Sequence, residues 1–188
     1  DASGLLELPA DAPVGTPLAE YLGLPDASIE LKLTPNRADC FGVHGIAFDV
    51  AAATGAEVEP LDTAPVPAAH DATLPVELHA GADAPRFVGR VLHGVDATSA
   101  TPVWMAERLR RSGVRPVSFL VDVTQYLMLE LGQPMHAYDR DLLKGPIGVR
   151  NARDGETLKL LNGNEATVDP QFLVITDADR VVGLAGIM

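Results

Sequence analysis

The sequence is poor in the residues on which several common protein classes depend. Cys40 is the only cysteine among 188 residues, which excludes an intrachain disulfide framework and a cysteine-based zinc site. No apolar run approaches the roughly 20 residues that a membrane-spanning helix requires, and no segment resembles a secretory signal. We therefore expect a cytoplasmic protein that makes no use of a membrane.

Several catalytic signatures are missing as well. The chain has no G-x-x-x-x-G-K-[ST] loop to cradle a phosphate and no G-x-G-x-x-G helix opening, and it has no G-x-S-x-G nucleophile elbow. Its five histidines are scattered, with no pair spaced three or four residues apart: His44, His70, His79, His93 and His136. We therefore expect no metal site, no cofactor in this chain and no means of activating ATP within it.

Basic residues are scarce in the first half of the chain. Residues 1–83 carry fourteen acidic side chains against Lys32 and Arg37, whereas residues 84–188 carry twelve of each sign. The net charge of −12 argues against a large nucleic-acid surface, because affinity for nucleic acid comes mainly from cations. The densest basic group is either a solvated helix face or a local contact with RNA: Arg108, Arg110, Arg111 and Arg115.

What the sequence does contain favours a folded protein. Apolar residues make up 47% and charged residues 21%, so a packed core is expected, and the length suits one domain and part of another. The chain opens on Asp1 without a start signal and closes on an apolar run, residues 181–188, without a closing turn. We therefore expect a piece of a larger protein.

Local signals predict the elements of the first part. We expect a short helix after Thr16-Pro17 and a strand over residues 29–33. A loop at Asn36 and Arg37 should follow, leading into a helix that ends at Gly55. Either this loop binds an anion at the helix start, or Asn36 and Arg37 lock it to the preceding strand.

The later part predicts strands, two helices and more strands, which is an α+β order. We expect strands over residues 75–78 and 86–91, and then a helix from Pro102 to Gly113 that is capped by Ser99 or Thr101. After the second helix, which covers residues 119–131, five strands are expected, with a type I′ turn at Asn162-Gly163. They cover residues 147–150, 158–161, 165–168, 173–176 and 181–185.

Residues 115–139 organise this part of the chain. An apolar run from Phe119 to Leu131 favours a helix that stops at Gly132, and Pro134 restricts the turn that follows. This turn presents His136. The histidine is either a core residue that donates to a backbone carbonyl, or a site residue that acts as a general base or orients a substrate.

Four motifs carry a resemblance to a known family. They are VDVT at residues 121–124, LELGQPMHA at 129–137, LAGIM at 184–188 and LTPNRADC at 33–40. Together they are similar to the editing module of the bacterial phenylalanine–tRNA ligase beta subunit, and the similarity covers nearly the whole chain.

The resemblance implies a layered α/β module with a β-sandwich and two main helices. Residues 1–25 would then be the end of an oligonucleotide-type barrel and residues 26–57 a small strand–loop–helix piece. Residues 58–73, rich in proline and acid, would be a linker, and residues 74–188 would form the editing module. The family's tyrosine-sensing glutamate would fall beyond Met188.

The resemblance also implies an activity, hydrolysis of tyrosine that is wrongly attached to phenylalanine tRNA. An apolar pocket rejects an added hydroxyl only about 100-fold, so a second, hydrolytic site is needed. His136 matches the editing histidine and would be catalytic. Substrate-binding residues would be Gln125, where the family commonly has Asn, and four residues that line the pocket: Pro134, Met135, Ala185 and Gly186, the last two through backbone N–H groups.

The family further implies partners and cofactors for the whole enzyme. These are an alpha subunit in a heterotetramer of two alpha and two beta chains, phenylalanine tRNA, ATP and Mg²⁺. Two other functions remain open. One is a non-catalytic scaffold that binds RNA or a subunit, and the other is a free-standing editing protein, although residues 1–55 resemble neighbouring beta-subunit domains that such a protein would not need.

Overall fold

A computed structural model of the chain describes residues 5–186. Four α-helices occur in the described part: α1 Leu18–Tyr21, α2 Val43–Thr54, α3 Val103–Arg111 and α4 Phe119–Leu131. The strands there are β1 Val76–Leu78, β2 Ile147–Asn151, β3 Thr157–Lys159, β4 Glu165–Thr167, β5 Leu173–Thr176 and β6 Val181–Leu184. The expected α+β class is confirmed. None of the helices in residues 5–186 is long and apolar enough to cross a membrane.

The chain divides into two compact units. One unit combines the residues up to Val50 with Ala97–Gln133, and the other combines Ala51–Asp96 with the residues from Pro134 onward. The first unit thus contains α3 and α4, and the second contains both sheets. The domain boundaries implied by the resemblance stay a prediction.

The second unit is built on a four-stranded sheet in the order β1-β2-β5-β6. β1 runs parallel to β2, with Val76 opposite Ile147, whereas the other pairs are antiparallel. Because side chains alternate across a strand, Val149 and Val174 belong to two separate apolar clusters. One contains Ile147, Val149 and Ile175, and the other contains Ala152, Val168, Val174 and Val181.

Both clusters are covered. Leu158, on β3, packs against the second cluster, so the β3–β4 hairpin forms a small second layer. Residues from outside the strands contribute to covering the first cluster, among them Leu74, Ala84, Phe87 and Tyr138. The sheet therefore lies at the core of the second unit, as its apolar strands require.

The β3–β4 hairpin turns differently from the prediction. The Gly163 N–H donates to the Leu160 carbonyl at 2.9 Å, and the Leu160 N–H donates to the Asn164 carbonyl at 2.8 Å. Gly163 has a φ of 86°, but no non-glycine residue within 5–186 has a positive φ. Since a type I′ turn needs positive φ at both central residues, that prediction is wrong. The loop is a three-residue connection closed by a left-handed glycine.

Two predicted strands are absent from the described residues. Residues 29–33 and 86–91 are assigned neither strand nor helix. Alternation alone does not make a strand, because each strand needs a partner to satisfy its backbone groups. Phe87 packs against the sheet, whereas its neighbour Val88 is 74% exposed.

Two further predictions in the first unit are corrected. One concerns the contacts of Arg37, and the other concerns the cap of α3. Arg37 does not lock its loop to a preceding strand; it donates to Asp49 of α2 at 2.7 and 2.8 Å and to Asp39 at 2.8 and 3.1 Å. The guanidinium lowers the pKa of Asp39 to about 2. Neither Ser99 nor Thr101 caps α3, since the position before it is Pro102.

Candidate active site

Helix α4 ends where the sequence predicts. Gly132 adopts the left-handed conformation, with φ 74° and ψ 15°, and its N–H donates to the Met128 carbonyl at 2.9 Å. Glycine reaches this conformation at no steric cost, which is why it closes helices so often. The chain then runs through Pro134 and Met135 without regular structure, and both residues are exposed.

His136 lies in this exposed segment. Its ring contacts the ring of Tyr138, with 4.5 Å between centroids and 57° between planes. No side chain or backbone group of residues 5–186 is hydrogen-bonded to either ring nitrogen of His136. A core histidine would be buried and would donate to a carbonyl, so the core interpretation is wrong. Both ring nitrogens are instead available to a water or a ligand.

Tyr138 is fixed by the sheet. It is half-buried and packs against the cluster of Ile147, Val149 and Ile175, and burial raises the pKa of its phenol. The residue thus connects an exposed imidazole to the core of the second unit. Sequence reasoning did not single out Tyr138. The available signal was an aromatic residue two positions after the histidine.

Ala185 and Gly186 lie just after β6. The Ala185 N–H donates to the Leu173 carbonyl at 3.0 Å, and its side chain packs against the same cluster as Tyr138. Of the two amides expected to bind substrate, that of Ala185 is therefore already engaged in the sheet. Gly186 is exposed and left-handed, with φ 76°.

The predicted site residues fall in both units. Pro134, Met135, His136, Ala185 and Gly186 belong to the second unit, whereas Gln125, half-buried on α4, belongs to the first. Within the second unit, His136 reaches the sheet through Tyr138, and Ala185 packs on the same side chains that hold Tyr138.

An open hollow of about 570 Å³ lies in the second unit. It is formed by the segment that enters β1 and by the loop that follows Tyr138. Its lining residues are Thr73, Leu74, Pro75, Arg140, Asp141, Leu143, Gly145 and Pro146. Leu74 also packs against the cluster that holds Tyr138, so the hollow and the aromatic pair are supported by the same part of the sheet.

The buried carboxylate of the first unit is structural. Asp122 of α4 is 1% exposed, and it accepts from the Thr101 hydroxyl at 2.5 Å and from the Val117 N–H at 2.8 Å. It borders a hollow of about 320 Å³, but both of its oxygens already bind the segments that precede α3 and α4. Asp122 therefore fastens loops and is no candidate for catalysis.

Two arginines of the basic cluster, Arg110 and Arg111, form ion pairs within the first unit. Arg110 pairs with Glu107 at 2.7 Å, and Arg111 pairs with Asp26 at 2.7 Å and also with Glu107. Arg108 donates to the Tyr126 hydroxyl at 2.8 Å and lies 5.4 Å from the centre of the Trp104 ring. Arg108, Arg110 and Arg111 thus all make contacts within the protein. Across residues 5–186, no three acidic, histidine or cysteine side chains are grouped as a metal site would require.

Comparison with known proteins defines the class. Residues 83–188 match the B3/4 domain, and the chain therefore belongs to the B3/4-domain family. Over all 188 residues it is also 68% identical to the phenylalanine–tRNA ligase beta subunit of Xylella fastidiosa strain 9a5c. Identity is 70% to the beta subunit of Xanthomonas campestris pv. campestris strain 8004. The chain spans 24% of the length of these relatives, and the resemblance to the bacterial beta subunit is confirmed.

Proposed function

We propose that the chain provides a proofreading site that hydrolyses tyrosine attached to phenylalanine tRNA. The observation that supports this best is the state of His136. Its ring is exposed, it has no hydrogen-bond partner among the described residues, and it rests on an anchored aromatic side chain 4.5 Å away. An imidazole in this state is able to orient a water molecule and to accept a proton from it.

The reaction needs few groups. The ester is activated, so the protein must position water against the carbonyl carbon and stabilise the oxyanion that forms. His136 would hold the attacking water, and the backbone N–H of Gly186 would face the developing charge. Pro134 and Met135 would form the apolar wall. Gln125 would contribute a side-chain amide to substrate binding, the role that the resemblance implies for it.

The whole enzyme would supply the remaining parts. Aminoacylation would use ATP and Mg²⁺ at a site outside this chain. The alpha subunit would complete a tetramer of two alpha and two beta chains in the cytoplasm, and phenylalanine tRNA would bring the mischarged tyrosine to His136. Proofreading is needed because a phenylalanine pocket discriminates poorly against one added hydroxyl.

The test uses the complete ligase that contains this chain. His136→Ala should slow deacylation of preformed tyrosyl-tRNA by about 100-fold or more, the usual loss when a general base is removed. Phenylalanine charging should stay near normal. His79→Ala is the matched control, because His79 is also exposed (62% of its side chain) but lies in another segment of the second unit. It should leave both reactions unchanged.

The outcome separates proofreading from a scaffold that only binds RNA or a subunit. If charging collapses while deacylation survives, the assignment of His136 is wrong. Titration with tyrosine gives an independent result. It should perturb residues around His136 in the proofreading protein, whereas a scaffold should show no specific change there.

A further inference from the structure

The position of His136 raises the question of what holds its ring. The residue lies in an exposed segment without helix or strand, where a side chain ordinarily samples several rotamers. A general base that must sit within hydrogen-bond distance of a water molecule loses efficiency when it is free to move. Some contact must therefore limit the imidazole if it is to act in catalysis.

Tyr138 is the group that contacts it. The planes of the two rings are inclined at 57°, and their centroids are 4.5 Å apart, a separation within the range that aromatic pairs favour. Tyr138 is itself immobilised, because its ring packs against Ile147, Val149 and Ile175 of the sheet. The sheet thus contacts Tyr138, and Tyr138 in turn contacts the imidazole of His136.

We propose that Tyr138 is a positioning residue for His136 in the hydrolysis of mischarged tRNA. Because Tyr138 would act through His136, its role depends on the editing function proposed above. The contact is between rings, so the aromatic face does the positioning and the hydroxyl is dispensable. A displacement of about 1 Å in a reacting group costs on the order of 100-fold in rate, which sets the scale of the expected effect.

Three variants of the complete ligase separate positioning from simple packing. Tyr138→Leu keeps an apolar side chain on the cluster but removes the aromatic face, and Tyr138→Phe keeps that face. Phe87→Leu is the matched control, since Phe87 packs against the same cluster but is not part of the candidate site. We expect Tyr138→Leu to lower kcat for tyrosyl-tRNA deacylation by about 10- to 100-fold with little change in KM. The other two variants should deacylate at the wild-type rate.

A double variant tests whether Tyr138 acts through His136. If it does, His136→Ala with Tyr138→Leu should be no slower than His136→Ala alone, because residues that act as a unit are not additive. An additive loss, or an equal loss in Phe87→Leu, would overturn the positioning role. So would normal deacylation by Tyr138→Leu in an enzyme that His136→Ala inactivates. If His136→Ala is itself harmless, the editing function is refuted and the role of Tyr138 is refuted with it.

Discussion

Gly42 and Gly132 lie against each other in the first unit, and each position needs glycine for a different reason. Gly132 needs it for conformation, because its φ of 74° closes α4. Gly42 has an ordinary extended backbone, with φ −115° and ψ 151°, but a Cβ placed there would lie 2.5 Å from the Gly132 nitrogen. The requirement at Gly42 is therefore one of space.

This contact predicts the effect of a single added methyl group. Gly42→Ala should lower the free energy of unfolding of the first unit by about 1–3 kcal/mol, the usual cost of overpacking against atoms that cannot move aside. Urea denaturation measures the change. Gly89→Ala is the control, because the nearest atom to its added Cβ would be Phe87 Cε1 at 3.7 Å, an ordinary contact. If the two variants are equally stable, the approach of Gly42 to Gly132 is not as close as described.

The candidate site was also partly predictable at the scale of single residues. Gly132 ends the helix before His136, and Pro134 restricts the turn that presents it. Both effects are local and can be predicted without a structure. Tyr138 was missed because its importance comes from Ile147, Val149 and Ile175, which follow it in the chain and meet it only in the folded sheet. Spacing alone does not reveal such a contact.

At the scale of elements, one ion pair joins β2 to the start of β3. Arg150 donates to both carboxylate oxygens of Glu156, at 2.7 and 2.6 Å, and the Arg153 N–H donates to the same carboxylate. Arg150 lowers the pKa of Glu156 from its ordinary 4.5 to about 2. Both side chains are largely buried, at 16% and 21% exposure, so solvent screens the pair only in part.

The lowered pKa predicts how stability depends on pH. A carboxylate whose pKa is lower in the folded state stabilises the protein above its unfolded pKa and loses that effect as the pH falls through the folded value. The stabilisation from Glu156 should therefore be complete above about pH 4.5 and should disappear toward pH 2. Glu156→Gln should be less stable than wild type at pH 6, and the difference should shrink between pH 4.5 and pH 2.

Urea midpoints at several pH values measure this difference. Asp154→Asn, which removes a negative charge from the exposed turn beside Glu156, is the control for charge alone. A stability difference between wild type and Glu156→Gln that stays constant down to pH 2 would contradict the assignment of the pair.

Helices and strands differed in how well the sequence predicted them. Gly55 marks the end of α2, Pro102 the start of α3 and Gly132 the end of α4. Each acts within one turn of its helix. The expected strands over residues 29–33 and 86–91 did not form, because strand formation depends on a distant partner. The same limitation explains Asn162-Gly163, whose place in the loop is set by how β3 and β4 align.

At the scale of the whole molecule, charge limits what the chain can bind by itself. The net charge is −12, and several cations are already paired, including Arg37 with Asp49, Arg111 with Asp26, and Lys144 with Asp179. Affinity for nucleic acid depends on cations that are free to displace counterions from phosphates. Under the proposed function, most of the affinity for tRNA would therefore come from the other three quarters of the relatives' length.

The chain alone should therefore bind phenylalanine tRNA weakly. We expect a Kd no tighter than about 1–100 µM at roughly 0.15 M salt, the range of non-specific binding. Fluorescence anisotropy with labelled tRNA measures it, and the complete ligase is the positive control. Submicromolar binding that falls steeply with salt would contradict this expectation and would favour the RNA-binding scaffold.

The pairing of β1 with β2 has a consequence for biosynthesis. Val76 pairs with Ile147, and the 70 residues between them include the two main helices of the other unit. At about 5–20 residues per second, a ribosome delivers Ile147 roughly 4–14 s after Val76. Throughout that interval the nascent β1 has no partner strand. If the ribosome slows or stalls during it, we expect chaperones to bind the chain mainly at this unpaired edge of the sheet.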